Sequence, residues 1–69
     1  MATIYKIEYQ LGGVSRINHR TLAAAVKQMH SAKKIIRKHG DQQSVSVIAI
    51  EDGCQRDLTP AEFAEAYLS

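Results

Sequence analysis

The chain has 69 residues, a formal net charge of +2 and a single cysteine, Cys54. We expect one domain, residues 1–69, which buries only about 60% of its unfolded surface, so that a partner or a homodimer would help to stabilise it. One cysteine excludes an internal disulfide, and no apolar run approaches the roughly 20 residues that span a bilayer. Because the first residues alternate in polarity and form no apolar leader, we expect a cytoplasmic protein without a membrane contact.

Charge is distributed unevenly along the sequence. Residues 9–40 contain seven Lys or Arg, all three histidines and no carboxylate, whereas residues 41–69 contain six Asp or Glu and only one basic residue, Arg56. A run of this kind is either a solvated basic face or a surface that binds phosphates or an acidic protein patch. The composition leaves both interpretations open.

The N-terminal segment, residues 3–11, alternates between apolar and polar side chains, which predicts a half-buried β-strand. Tyr5 and Tyr9 share its apolar parity with Ile7 and Leu11. We therefore interpret the two tyrosines as core residues and not as a platform for nucleic-acid bases.

Two adjacent glycines then predict a hairpin turn, and the following seven residues are predicted to return as a second strand. A two-residue turn would leave Ile17 on the polar face of the hairpin. A three-residue loop, residues 12–14, with a bulge pairs Ile17 with Tyr9 and His19 with Ile7 instead. The sequence favours this longer loop.

Residues 21–39 have the apolar periodicity of a long helix. Thr21 is the predicted N-cap, and Gly40 is predicted to end the helix in the left-handed conformation. On a helical wheel, six apolar residues occupy an arc of about 120° and form the predicted core stripe. They are Leu22, Ala25, Val26, Met29, Ala32 and Ile36.

A flank of this helix, about 100° wide, carries basic side chains that are three and four residues apart. We call it the basic ridge; it consists of Lys27, His30, Lys34, Arg37 and Lys38. The helix has no acidic residue, so its like charges reduce its stability without compensating ion pairs. The basic ridge is the predicted partner-binding surface, with an ordinary solvated helix face as the alternative.

The segment 45–51 is the most apolar in the chain and is apolar on both parities, which predicts a central strand. Asp52-Gly53 is typical of a type I′ hairpin turn, and the shorter, more polar segment after it is predicted to lie at a sheet edge. Thr59 to Glu62 predicts a capping box with proline at the first helical position. The terminal helix, about 60–68, is expected to present three large side chains to the body of the protein: Phe63, Tyr67 and Leu68.

The predicted fold is therefore α+β with the order ββαββα. It is a four-stranded antiparallel sheet, built from two hairpins, with one long helix packed on one face. The order of the strands in the sheet stays open at this point.

The sequence lacks the patterns that catalysis or cofactor binding would require. Cys54 has no histidine near it in sequence, and the spacing of His19, His30 and His39 matches no metal motif. There is no glycine-rich phosphate loop. We therefore expect a protein that is not an enzyme and that has no metal site and no cofactor.

Four features of the sequence resemble a known group of small proteins. They are the Gly-turn hairpin, the helix opening TLAAAV, the strand VSVIAIEDG and the closing segment LTPAEF. Together they resemble the small strand-strand-helix-strand-strand proteins of bacteriophages and mobile elements, which include some anti-CRISPR proteins and other inhibitors of host machinery. The resemblance implies a non-enzymatic protein that occupies a surface on a host complex, and it transfers no individual binding residue.

Two functions are compatible with these observations. The first is an inhibitor or adaptor, from a phage or mobile element, that docks on a host protein or nucleoprotein complex. The second is a small DNA- or RNA-binding protein that uses the basic ridge on phosphates without reading sequence. The acidic C-terminal half favours the first, because it would repel nucleic acid unless it lies on the far side of the molecule.

Overall fold

The computed structural model describes residues 3–68 and contains the six predicted elements in the predicted order. They are β1 (Thr3–Tyr9), β2 (Gly13–Val14), α1 (Leu22–Lys38), β3 (Val45–Glu51), β4 (Cys54–Arg56) and α2 (Pro60–Tyr67). The strands form one sheet in the order β2-β1-β3-β4, in which all neighbouring strands are antiparallel. The predicted α+β class and the ββαββα order are confirmed.

The two hairpins are joined through their longest strands. β1 and β3 pair along their whole lengths, from Thr3 opposite Glu51 to Tyr9 opposite Val45. β3 therefore lies between β1 and β4, which confirms that the strand with apolar residues on both parities is central. β4 forms one edge of the sheet, as its polar sequence predicts.

Both ends of α1 follow the capping chemistry that the sequence predicts. The backbone N–H of Ala24 donates to the hydroxyl of Thr21, the N-cap, at 3.3 Å. At the other end Gly40 has a φ of +73°, in the left-handed region that glycine occupies without steric cost. Its N–H donates to the carbonyl of Arg37, and the N–H of Asp41 donates to that of Ile36, which is the Schellman arrangement.

The core lies between α1 and one face of the sheet. Its most completely buried large side chains are Ile7 of β1 and Met29 of α1, both 0% exposed. Four members of the predicted helix stripe are buried, and the other two, Val26 and Ile36, are partly buried and pack against the core. Tyr5 and Tyr9 of β1 also pack against this cluster, so the interpretation of both tyrosines as core residues is confirmed.

The first hairpin differs from the prediction. Tyr9 pairs with Gly13, not with Ile17, and the loop consists of residues 10–12, so both the expected register and the expected loop are wrong. β2 ends after two residues, and the chain meets β1 again only where His19 forms a bridge with Tyr5. Between these contacts the returning segment uses two more residues than β1 does, which makes it a bulge.

Hydrogen bonds to α1 explain why the returning segment leaves the sheet ladder. His19 Nε2 donates to the amide oxygen of Gln28 on α1, and the amide nitrogen of Gln28 donates to the hydroxyl of Ser15 at 3.3 Å. The segment between them is held by these side chains, and Ile17 within it is 54% exposed. Alternation alone cannot reveal this bulge, because the helix residue that fixes it is distant in sequence.

The second hairpin and the capping box agree with the prediction. Asp52 and Gly53 have φ values of +51° and +82°, as a type I′ turn requires at both central residues. At the start of α2 the N–H of Glu62 donates to the Thr59 hydroxyl at 3.2 Å, and the N–H of Thr59 donates to the Glu62 carboxylate at 2.9 Å. These two bonds form the capping box.

The inward face of α2 is only partly as predicted. Tyr67 packs against the core and its hydroxyl accepts from the N–H of Val47, at the part of β3 that β4 does not cover. Leu68 is 75% exposed because the helix ends before it, so the expected inward position of Leu68 is wrong. Phe63 is half exposed, and the small side chain of Ala66 is buried instead, where α2 packs against α1.

Packing of α1 on the sheet can be tested at Met29. Met29→Ala removes a fully buried side chain and should lower the free energy of unfolding by about 2–5 kcal/mol, measured by urea denaturation. Ile35→Ala is the matched control on the same helix, where the side chain is 59% exposed, and should change it by about 0.5 kcal/mol or less. Equal losses in the two variants would contradict the assignment of the buried face.

Candidate binding surface on helix α1

All five side chains of the basic ridge are exposed. From Lys27 to Lys38 the ridge extends about 16 Å along α1, at a rise of 1.5 Å per residue. It lies on the side of the helix that faces away from the sheet. The structure therefore brings all the predicted binding residues together on one accessible surface.

None of the five ridge side chains forms a hydrogen bond or an ion pair with another side chain among residues 3–68. Arg56, by contrast, forms ion pairs with Glu51 and Glu62, both at 2.8 Å. The first turn of α1 contains no acidic residue, and Arg37 and Lys38 lie in its last turn, where they complement the helix dipole. The charge of the ridge is therefore directed to solvent.

Aromatic side chains of α2 lie next to the ridge, and sequence reasoning missed this. The rings of Phe63 and Tyr67 are 4.8 Å apart, and the ammonium nitrogen of Lys33 lies 5.9 Å from the centre of the Tyr67 ring. On the helical wheel Lys33 lies within the edge of the core stripe, between Leu22 and Val26, and Arg37 of the ridge follows it one turn later, so α2 lies on the side of α1 next to Arg37. The spacing of Phe63 and Tyr67 by four residues was the available signal, but it was interpreted only as a core contact.

An open cleft continues the surface at the C-terminal end of α1. It has a volume of about 450 Å³ and lies between the last turns of the helix and the loop 40–44. Lys33 and Arg37 line it together with Asp41, Gln42 and Gln43, so two cations and one carboxylate border the cleft. The basic surface therefore includes a concave part as well as the convex ridge.

The carboxylates of the C-terminal half are partly neutralised within the protein. Arg56 pairs with two of them, Glu51 and Glu62. Asp41 accepts hydrogen bonds from the backbone and the side chain of Gln43, at 3.3 and 3.0 Å. These contacts fix three of the six carboxylates in place, but the net negative charge of residues 41–69 is unchanged by them.

A second polar cluster joins α2 to the sheet. Arg56 of β4 and the hydroxyl of Tyr5 on β1 both donate to the carboxylate of Glu62. The hydrogen bond from Arg56, with that from the Thr59 backbone, lowers the pKa of Glu62 to about 2. The hydrogen bond to Glu62, with burial, raises the pKa of Tyr5, and the same carboxylate raises the pKa of Arg56.

This cluster holds its members in fixed protonation states near neutral pH. Glu62 stays ionised and Tyr5 stays protonated, so neither exchanges a proton as a general acid or base would. Its effect is to dock α2 on the sheet through an ion pair and a phenolic hydrogen bond. Sequence reasoning assigned Glu62 only to the capping box, because its contact with β1 depends on the strand order.

The side chains considered for catalysis or metal binding do not form a site. Cys54 is exposed and free at the start of β4. In the part of the chain that the structure describes, no three side chains of His, Cys, Asp or Glu converge as a metal site would require. Likewise, no helix within residues 3–68 has both the length and the apolar character needed to cross a bilayer.

Comparison of the chain with protein-family models, with curated proteins and with solved structures found no match. The basic ridge and its aromatic border are therefore interpreted from their own geometry and charge.

The Glu62 cluster makes stability depend on pH in a defined direction. Because the pKa of Glu62 in the folded protein lies below the ordinary value of 4.5, its contribution is complete above about pH 4.5 and is lost as the pH falls towards 2. Glu62→Gln keeps an N3 residue that can complete the capping box but removes the charge. Urea denaturation gives the free energy of unfolding at each pH. The difference in this free energy between the wild type and Glu62→Gln should be smaller at pH 3 than at pH 7.

Asp57→Asn is the control for this measurement, because it removes an exposed carboxylate from the same end of the molecule. It should leave the acid dependence of the urea midpoint unchanged. If the wild type and Glu62→Gln differ in free energy of unfolding by the same amount at both pH values, the ion-pair assignment is contradicted.

Proposed function

We propose that this protein is a non-enzymatic binding protein that docks the basic ridge of α1 on an acidic surface of a larger protein or nucleoprotein complex. The observation that carries the proposal is the exposure of all five ridge side chains without a carboxylate partner among residues 3–68. Like charges at this spacing cost the isolated helix stability, and an acidic partner surface offsets that cost.

Apolar side chains on both sides of the ridge support a protein partner. Ile35 is 59% exposed on one side of the ridge, and Phe63 is 50% exposed on the α2 side. Interfaces between proteins combine aromatic and aliphatic anchors with arginine and are surrounded by polar residues. Arg37 lies on the α2 side with Phe63, and Ile35 lies on the other flank, so the ridge with its two flanks has this composition. A surface that binds phosphates alone has no need of an exposed aliphatic side chain.

The resemblance to small phage and mobile-element inhibitors supports the same type of function. Under this proposal the partner is a component of the host machinery, and binding blocks or redirects it. Two observations would identify the partner. One is the identity of the genes adjacent to the one that encodes this chain, and the other is capture of the partner from a nuclease-treated host lysate.

Charge reversal on the ridge tests the proposal. Lys34→Glu with Arg37→Glu should abolish capture of the partner from a nuclease-treated lysate, because the reversed charges repel the acidic surface. Circular dichroism and thermal unfolding should be unchanged, since both side chains are exposed. Arg16→Glu with Arg20→Glu makes the same change in net charge at exposed positions outside α1 and should keep the complex. If the ridge variant still captures the partner fully, the proposal is wrong and the ridge is an ordinary solvated helix face.

A second candidate function is sequence-independent binding of nucleic acid. The pair of Phe63 and Tyr67 beside Lys33 favours it, because a half-exposed ring next to cations can stack on an unpaired base while the cations contact phosphates. The pairing of Glu51 and Glu62 with Arg56 also reduces the repulsion expected from the acidic half.

The dependence of affinity on salt distinguishes this second function from the first. Four phosphate contacts from Lys27, Lys34, Arg37 and Lys38 would give a slope of log affinity against log salt near −3.6 for duplex DNA, at about 0.9 for each phosphate. Lys34→Ala should reduce this slope by about one unit for every sequence. Phe63→Ala should weaken binding of a single-stranded oligonucleotide by about 1–3 kcal/mol and leave duplex binding unchanged. Absence of measurable binding to both duplex and single-stranded oligonucleotides at low salt would exclude this function.

A further inference from the structure

The cleft at the C-terminal end of α1 combines cations with an apolar floor. Ile36, which is partly buried, and Val45, which is 4% exposed, are the aliphatic residues of its lining. Lys33 and Arg37 form the wall on the helix side. Arg37 also belongs to the basic ridge, so a partner that lies on the ridge can continue into the cleft.

Hydrogen bonds hold the loop that forms the opposite wall of the cleft. Both carboxylate oxygens of Asp41 accept from Gln43, one from its backbone and one from its side chain. The side-chain oxygen of Gln43 accepts in turn from the N–H of Leu11 at 3.2 Å. The N–H of Ser44 donates to the side-chain oxygen of Gln10 at 3.1 Å. The loop is thereby tied to the first hairpin, and a preformed cleft loses little conformational freedom when it binds a ligand.

Three side chains at the cleft have donors that the protein itself does not use. Among residues 3–68, Lys33, Arg37 and Gln42 form no hydrogen bond or ion pair with another side chain, and all three are exposed. The ammonium group of Lys33 contacts the face of the Tyr67 ring, which leaves its N–H groups available. A guanidinium, an ammonium and an amide are suited to binding an oxygen anion.

The C-terminal end of a helix carries partial negative charge, which by itself opposes an anion. In this protein the carbonyls of Ile35, Ile36 and Arg37 already accept backbone hydrogen bonds from the residues that follow the helix. The capping turn therefore satisfies most of the carbonyls that would otherwise face the cleft. The two cations beside them decide the sign of the charge.

The charge of the cleft selects the class of ligand. Lys33 and Arg37 against Asp41 leave one positive charge, which one carboxylate neutralises. A phosphate monoester, with a charge of about −1.5 to −2, would leave an excess of negative charge beside Asp41. The apolar floor favours a carboxylate carried on methylene groups, because these groups can cover Ile36. A glutamate side chain combines both features.

We propose that the cleft binds a glutamate side chain of the protein partner. The carboxylate pairs with Arg37 and Lys33, and the methylene groups lie on Ile36. This inference rests on the proposed function and makes it more specific. The ridge attracts an acidic surface over a distance, whereas the cleft selects a partner that presents a glutamate at the end of α1.

Amide chemical shifts of the isotope-labelled protein test the proposal. The probe is a peptide with blocked termini and one glutamate between alanines, so that the glutamate is its only carboxylate. At millimolar concentrations it should shift the signals of Lys33, Arg37 and Gln42. The same peptide with glutamine in that place should bind at least about tenfold more weakly, because it lacks the charge. Equal binding of the two peptides, or no shift in the cleft, overturns the proposal. A single-stranded oligonucleotide that shifts the cleft signals at lower concentration than the glutamate peptide also overturns it.

A pair of variants locates the binding site. Gln42→Glu adds a carboxylate to the cleft and should weaken binding of the glutamate peptide at least about tenfold, because like charges then meet. Asn18→Glu makes the same change in charge at an exposed position outside α1 and the cleft, and it should bind as the wild type does. Equal affinities of these two variants overturn the proposal.

The cleft and the ridge can fail separately in these experiments. Gln42 belongs to the cleft and not to the ridge, and Lys34 belongs to the ridge and not to the cleft lining. If the glutamate peptide does not bind while Lys34→Glu with Arg37→Glu abolishes capture, the cleft proposal is wrong and the ridge proposal stands. If the peptide binds in the cleft while the ridge variant still captures the partner, the cleft is a carboxylate site and the proposed function of the ridge is wrong.

Discussion

The antiparallel ladder between β1 and β3 is the contact on which the rest of this structure depends. It joins two hairpins that lie far apart in sequence, so its formation closes the long segment that contains α1. The register of the ladder sets Ile7 beside Val47 on one face and creates the apolar surface on which α1 packs. It also fixes which side of α1 remains exposed, and thereby places the basic ridge in solvent.

Glu62 shows how one residue can connect local and long-range structure. Its carboxylate completes the capping box of α2 through the Thr59 backbone, and it also accepts from Arg56 and Tyr5. A short helix of this kind would be marginal alone, because helix nucleation is costly. The contacts to β4 and β1 give α2 a fixed position, and that position brings Phe63 and Tyr67 to the border of the ridge.

Predictions from the sequence succeeded where the determining residues are neighbours in sequence. Thr21, Gly40 and Asp52-Gly53 mark an element boundary or a turn by local chemistry, and the structure confirms each of them. The predicted register and loop of the first hairpin are wrong because its shape depends on Gln28, whose side chain reaches from α1 to His19. The fold class followed from periodicity, but the order of the strands did not, since local patterns carry no information on which strands pair.

The same limit applies to the candidate site. The basic ridge could be predicted because its five residues share one helix face, and the spacing of a helix is known in advance. Its aromatic border could not be predicted, because Lys33 and Tyr67 meet only through tertiary packing. Charge along the chain was also an incomplete guide. Arg16 and Arg20 belong to the same carboxylate-free run as the ridge, yet they lie outside α1, on the segment that returns from β2.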